Sequence, residues 1–323
     1  MTMTATTTDS APPQSPFRRA VQRLVRKKVA MVALAIIVLL YLAGIFAPLV
    51  APHDYNETNL RRVRQGPSAE NWLGTDSLGR DILSRVIWGI QTTVIVTGIG
   101  LATGSLLLGV TLGLIAGFRG GFVDTLIMRF GEIVASFPDV LLIILLAATL
   151  RPRIVETVRG IEDFTGISGL VSSGVVDYFV VGVALLPLSW FGMMRLVRGQ
   201  VLFLGKMPFV DAARALGVST RRILFVHLLP NTLGPIIVSA SFGLGAVAGS
   251  EIFLSFLGLG VQPPRPSLGA MIADVTGRGA GSVSVLRNHP EQLLAPIVVV
   301  WLLIFCWNLL GDALNDAFNP RTR

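Results

Sequence analysis

Phe209 to Asn231 reads F-V-D-A-A-R-A-L-G-V-S-T-R-R-I-L-F-V-H-L-L-P-N, a polar and basic stretch between long apolar ones. The chemistry it offers is docking. Asp211 stands beside Ala212 and Ala213, so an acid that can reach a basic or N–H group sits among side chains small enough for close approach. Phe209, Ala212, Ala213 and Leu216 recur at i, i+3, i+4 and i+7, which predicts a short helix with one apolar stripe. Gly217 can take the left-handed conformation that ends such a helix. Ser219 or Thr220 can cap a second short helix, and Pro230 is expected to stop it by removing a donor and clashing with the preceding turn. The stretch reads as a compact, rigid knob on the aqueous side that docks another protein.

Other chemistries find little support. The phosphate-loop pattern G-x4-G-K-[S/T] is absent; Gly199 to Met207 comes near, but its first glycine is one residue early and Met207 replaces the hydroxyl residue. There is no H-E-x-x-H or G-x-S-x-G, and His53, His227 and His289 are scattered, so no enzyme is expected. Standing alone, His227 reads as a structural histidine. The single cysteine, Cys306, lies in an apolar run; it forms no intrachain disulfide, no metal site is expected, and it reads as a small buried hydrophobe.

Of the 323 residues, 52% are hydrophobic and 14% charged, against about 25% charged in soluble domains. This is an integral membrane protein. Its net charge of +8 is clustered next to apolar segments without interleaved aromatics, so it reports orientation rather than nucleic-acid binding.

Six spans are expected. A Thr/Ser/Pro-rich start and a basic arm, Arg18 to Lys28, precede Val29 to Val50, which exceeds the about 7–15 residues of a signal-peptide core. The remaining spans are expected near Thr92–Phe118, Val123–Leu150, Tyr178–Met194, Leu233–Leu257 and Leu293–Leu310. The resulting organisation is a cytoplasmic arm (1–28), a first span (29–51), an external loop (52–89), a main transmembrane domain (90–312) with its central loop at 206–231, and a cytoplasmic tail (313–323). Basic clusters in the arm and the central loop place both termini inside. Leu73 to Asp81 is a candidate structured turn. Gly100, Gly104, Gly109, Gly113 and Gly117 share one helix face, which predicts close packing against an unspecified helix. Arg151 to Asp177 is mixed in charge and hence external, with Ile154, Val155, Val158 and Ile161 suggesting a short surface helix.

Ionisable residues inside spans are costly, about 2.5–3.5 kcal/mol each on an insertion scale. Arg129 and Glu132 are therefore expected near the inner surface, with a kink at Pro138-Asp139 turned toward protein or water. Asp139 is a candidate for the translocation path, or else a helix-end or interhelical hydrogen-bonding group. Glu251 is a candidate substrate-binding group, or a residue near the outer boundary with a partner.

Asp211-Ala-Ala213, Gly217 after three residues and Leu229-Pro230 resemble the EAA loop of bacterial ATP-binding-cassette import permeases, E-A-A-x3-G-x9-I-x-L-P. Asp211 replaces the usual Glu. His227 replaces Ile, as in the dipeptide/oligopeptide branch, whose R-x-I-F-x-H-x-L-P-N here reads Arg222 to Asn231. Leu73 to Asp81, Phe253 to Pro264, and Asn308-Leu-Leu-Gly-Asp312 with Asn319-Pro320 are similar to further motifs of that branch, in its smaller, C-type subunit. The resemblance covers Arg18 to Arg323, although Arg151 to Asp177 is longer than usual. It implies an all-α membrane protein with a six-helix, type I importer permease fold and a cytoplasmic coupling helix. Asp211, Ala212, Ala213, Arg214, Gly217, Leu229 and Pro230 would form that coupling element. The implied partners are a homologous second permease subunit, two cytoplasmic ATP-binding subunits and an extracytoplasmic substrate-binding protein, in the bacterial cytoplasmic membrane. No cofactor is expected on this chain, ATP and Mg belonging to the ATPases. Peptides are the implied cargo, with nickel, glutathione or haem as alternatives within the family. A secondary transporter using Glu132, Asp139 or Glu251 is the rival class.

Overall fold

The computed structural model describes residues 16–277 and 282–319. The Thr/Ser/Pro-rich start before residue 16, together with Pro320, Arg321 and Arg323, lies outside the described residues. The architecture is all-helical, with one isolated antiparallel bridge between Thr75 and Asp81.

The elements are α1 Pro16–Arg26, α2 Lys28–Ile45, α3 Ile82–Arg119, α4 Gly121–Ala135, α5 Asp139–Thr165, α6 Val175–Ala184, α7 Leu186–Leu204, α8 Pro208–Ala215, α9 Thr220–Phe256, α10 Leu268–Thr276, α11 Ser282–Asn288 and α12 Glu291–Phe318. Helices α2, α3, α9 and α12 are each long and apolar enough to cross a membrane. Two bent pairs meet the same criterion jointly: α4 with α5, bent by 90°, and Val175–Ala184 with Ser189–Leu204, bent by 48°. The protein is thus a multi-pass membrane protein, with four to six candidate spans among the described residues.

Several elements outrun the expected spans. Helix α3 begins at Ile82, inside the stretch read as an external loop, because Asp81 caps it by accepting from the Ser84 N–H at 2.8 Å. Its 38 residues would reach roughly 55 Å at about 1.5 Å per residue, well beyond a hydrocarbon core of about 30 Å. Residues 151–165 form no separate surface helix but continue α5 through Pro152. The first span ends at Ile45, and a single turn, Ala47–Val50, follows the break at Phe46.

Close packing is built from glycine. A β-carbon added at Gly109, Gly113 or Gly117 would lie 2.7, 2.7 or 2.8 Å from the Cβ of Met193, Val197 or Val201. The partner of the glycine face is therefore α7. The matching four-residue steps ascend together on both helices, so α3 and α7 run parallel. Around Gly100–Val110 α3 widens into i→i+5 turns, and Gly100 faces Val247 of α9. Helices α9 and α12 pack along each other, with Gly311 against Phe242 and Gly245 against Trp307. Helix α1 lies along α12, where Lys27 pairs with Asp316 at 2.6 Å.

The Leu73–Asp81 stretch is the structured turn expected of it. Asp76 Oδ1 accepts from the N–H groups of Leu78 and Arg80 at 2.8 and 3.0 Å, and Gly74 and Gly79 supply positive φ. Gln292 at the start of α12 donates to the Thr75 carbonyl at 3.1 Å. Nearby, a hydrogen bond from Arg62 holds the exposed Glu70 carboxyl below its ordinary range.

Candidate coupling site

Helix α8 carries the residues expected to dock a partner. It is anchored by Val210, fully buried, and Ala213, which pack with Leu114, Val197, Val201 and Ile223. This divides the expected stripe. With Val210 and Ala213 facing inward, Phe209, Ala212 and Leu216 turn outward, Phe209 42% and Leu216 83% exposed. Only Ala213 of the four faces the protein's own core.

Asp211 and Arg214 are both exposed and approach to 3.4 Å, one turn apart. Such a surface pair contributes little to stability, ~0–1 kcal/mol. The Arg214 guanidinium also lies over the Phe118 ring at 5.7 Å, which leans it back toward α3 and leaves the Asp211 carboxylate on the outer edge.

Gly217 ends the helix with φ +71. The Val218 N–H donates to the Ala213 carbonyl at 3.0 Å and the Gly217 N–H to that of Arg214 at 2.9 Å. This pair of bonds is a Schellman closure, which requires the left-handed residue at Gly217's position. Ser219 holds the next cap position, but its side chain forms no capping bond; its carbonyl accepts from the Ile223 N–H at 3.0 Å.

Pro230 does not end the second helix. From Thr220 the chain runs unbroken to Phe256. The turns from Ile223 to Leu228 are of the wide i→i+5 kind, so the preceding ladder is already displaced where the proline ring enters. The Asn231 side chain donates to the His227 carbonyl at 2.6 Å. Leu229 is half-buried against the α8 anchor and Pro230 is exposed. The turn after α8 thereby leads straight into a helix long enough to span a membrane, and α8 packs on the start of that helix.

The other two sequence candidates lie elsewhere. Asp139 is the first residue of α5, exposed, just past the 90° bend. Glu251 is completely buried in α9, where Thr93 Oγ and Ser255 Oγ donate to its two carboxylate oxygens at 2.8 and 2.9 Å. The sequence reading passed over the pairing of Arg198 with Asp124. Two guanidinium nitrogens of Arg198 in α7 bind the two oxygens of Asp124 in α4, one at 2.6 Å, clamping the helix that precedes the knob. The one signal for this pairing was an Asp just after the Arg119-Gly-Gly121 turn.

Residues 109–323, which include α8, Gly217 and Pro230, match the family model described as binding-protein-dependent transport system inner membrane component. The chain belongs to that family of transport permeases. Residues 15–67 of this permease match a second model, the N-terminal TM domain of oligopeptide transport permease C. The permease is similar to the dipeptide transport system permease protein DppC of Alkalihalophilus pseudofirmus, with 37% identity over 98% of this chain and 95% of the relative. It is 37% identical to the oligopeptide transport system permease protein OppC of Bacillus subtilis, over 95% of this chain and 90% of the relative. The glutathione transport system permease protein GsiD of Pectobacterium atrosepticum is 34% identical over 96% and 93%. A permease of this family is a transport subunit and not an enzyme. Among the described residues no group of three His, Cys, Asp or Glu side chains is placed to hold a metal ion.

Proposed function

We propose that this permease is the smaller, C-type membrane subunit of an ATP-driven importer of di- and oligopeptides, and that α8 is its coupling helix. The observation that carries this is the outward face of Phe209, Ala212 and Leu216 on a helix anchored by Val210 and Ala213. Phe209, Ala212 and Leu216 together form an apolar patch flanked by Asp211 and Arg214, and a patch rimmed by polar residues fits a protein contact. Two cytoplasmic ATPase subunits supply that cover, together with the ATP and Mg chemistry. A homologous second permease subunit completes the translocation path, and an extracytoplasmic binding protein delivers the cargo. Glutathione, named for one relative, is itself a small peptide and falls in the same class.

The mechanism is alternating access. Closure of the ATPases on ATP moves α8, and because α8 packs on the start of α9 the displacement enters the bundle as a rigid-body tilt. Hydrolysis reverses it. The knob must contact the two ATPase states differently, since equal contact would shift nothing. Six spans with both termini inside is the topology this requires. The parallel run of α3 and α7 supports it, because the chain must return across the membrane between them, through α4 and α5.

The test is site-directed cross-linking. Cys306 is buried, so Leu216→Cys or Ala212→Cys introduces the one accessible thiol among the described residues. In the purified complex each is expected to cross-link to an ATPase subunit, with a yield that changes on ATP binding. An assembled complex in which neither position reaches an ATPase would overturn the assignment.

A further inference from the structure

Two motifs from the sequence, Leu73–Asp81 and Phe253–Pro264, take no part in coupling. They are far apart in the chain, yet they meet around one cavity of about 310 Å3 at the end of the molecule opposite α8. Arg80 comes from the first motif, Ser255 and Gln262 from the second. The wall carries three guanidinium groups, of Arg80, Arg85 and Arg265, against one carboxylate, that of Asp274. The nearby Asp76 is already occupied: it accepts from two backbone N–H groups and from Arg80 Nε at 2.7 Å, with Arg85 Nε at 3.5 Å.

Arg85 lines this cavity and a smaller neighbouring one of about 30 Å3. It is 5% exposed, and its Nη1 atom is buried without an acceptor among the described residues. A buried guanidinium nitrogen calls for an acceptor, and an ionised one makes the stronger bond. Arg265 is fixed in place, its Nε donating to the Ser173 carbonyl at 2.8 Å and its guanidinium lying over the rings of Tyr55 and Trp88 at 5.6 and 5.5 Å. The volume is at the lower end of small-ligand pockets, about 300–1,000 Å3, which suits the terminal residue of a peptide more than the tip of one side chain.

We propose that this cavity is a carboxylate subsite that receives the C-terminal carboxylate of a free peptide on the outer side of the permease. Arg85 Nη1 is the principal donor, and Arg80 and Arg265 supply flanking positive charge. The proposal rests on the peptide-importer reading, which puts such a carboxylate on every cargo molecule.

The experiment uses the complete membrane complex in nanodiscs, without the extracytoplasmic binding protein, titrated with Ala-Ala and with its C-terminal amide by calorimetry. Ala-Ala is expected to bind saturably and the amide at least tenfold more weakly. Arg85→Lys keeps the charge and loses the Nη1 donor; Arg265→Gln changes the half-buried rim, so one variant remains informative if the other does not assemble. Each is expected to weaken Ala-Ala at least tenfold in complexes that assemble normally by gel filtration. Equal binding of Ala-Ala and the amide, or unchanged affinity in both variants, overturns the subsite. Absence of dipeptide binding while Arg265→Gln impairs docking of an extracytoplasmic protein also overturns it, in favour of an acidic side chain on that protein. Carboxylate-dependent binding in a complex that takes up no peptide into vesicles would leave the subsite standing and sink the importer reading.

Discussion

Thr93 of α3 donates its hydroxyl proton to Glu251 of α9 at 2.8 Å, deep in the helix bundle. Ser255, one turn along α9, occupies the second carboxylate oxygen at 2.9 Å. One oxygen of the single acid buried in α9 therefore joins two spanning helices, and the other is held within α9 itself. Glu251 is fully buried, and its bond to Thr93 fastens α3 to α9. Thr93→Val removes one donor at nearly constant shape, and a hydrogen bond to a charged or strongly polar group is worth about 1.5–3 kcal/mol. The expected result is a lower thermal midpoint of the detergent-solubilised complex. Glu251→Gln keeps an acceptor for Thr93 and is expected to be milder than Glu251→Leu, which leaves both hydroxyls without their partner. Equal midpoints for the Gln and Leu variants would remove the fastener role.

The glycine face of α3 gives a second, steric prediction. At Gly113 an added Cβ would lie 2.7 Å from Val197 Cβ and 2.8 Å from the Met194 carbonyl oxygen. Those are a packed side chain and backbone, neither of which can swing away. Gly113→Ala is expected to push α3 from α7 and destabilise by about 1–3 kcal/mol, the usual range for overpacking. Gly98, on the same helix, has nothing within 4 Å of the corresponding position. Gly98→Ala is expected to be neutral or slightly stabilising, since alanine is the better helix former. Melting curves of the two variants, followed by fluorescence-detected gel filtration, make the comparison.

These two cases mark what the sequence alone conveys. The four-residue glycine spacing announced a close helix contact, because small residues at that period have few other uses in lipid. It could not name α7, since that depends on a register between residues about 80 apart in the chain. The Schellman end at Gly217 was legible because a left-handed residue after a short apolar stripe is a local event. Which side of that stripe faces the core was not, because Val210 and Ala213 are as apolar as Phe209 and Leu216, and only the neighbours from α3, α7 and α9 distinguish them. Pro230 misled for a related reason. A proline rule assumes a regular ladder behind it, and the wide turns at Ile223–Leu228 leave no signature in residue types.

Away from α8, Asp177 is the point where three segments meet. It accepts from Arg151 Nε at 2.9 Å and from the Gln262 N–H at 3.2 Å, and it is itself buried. The long Arg151–Asp177 segment is thus pinned to the Pro-rich loop after α9. Arg265 adds a second fastening, its Nε donating to the Ser173 carbonyl at 2.8 Å, and Glu162 closes the segment on itself by accepting from the Leu170 N–H at 2.6 Å. Asp177→Ala is expected to cost about 1–3 kcal/mol, the desolvation penalty of a backbone donor left without a partner; Arg151 is partly exposed and can rehydrate. Limited proteolysis should report it as faster cleavage at 166–174, with α8 unaffected. A cleavage pattern identical to that of the unaltered protein would mean the segment is held by other contacts.

The last prediction separates shape from bulk at the knob. Gly217 has φ +71, and nothing lies within 4 Å of where its side chain would be. Any substitution therefore acts through backbone conformation alone. An ordinary L-residue in the left-handed region is disfavoured by roughly 1–2 kcal/mol, a β-branched one more, and Asn less. The expected order of peptide uptake is Gly, then Asn, then Ala, then Val, with assembly intact throughout, because the anchors Val210 and Ala213 precede the turn. Gly217→Asp is expected to assemble likewise and to uncouple uptake from ATP hydrolysis, both measured in reconstituted complex. If the turn is what transmits the ATPase stroke to α9, hydrolysis should persist in the Val and Asp variants while uptake falls. If Val at position 217 carried peptide as well as Gly, the left-handed closure would be irrelevant to coupling, and α8 would have to work through its outward side chains alone.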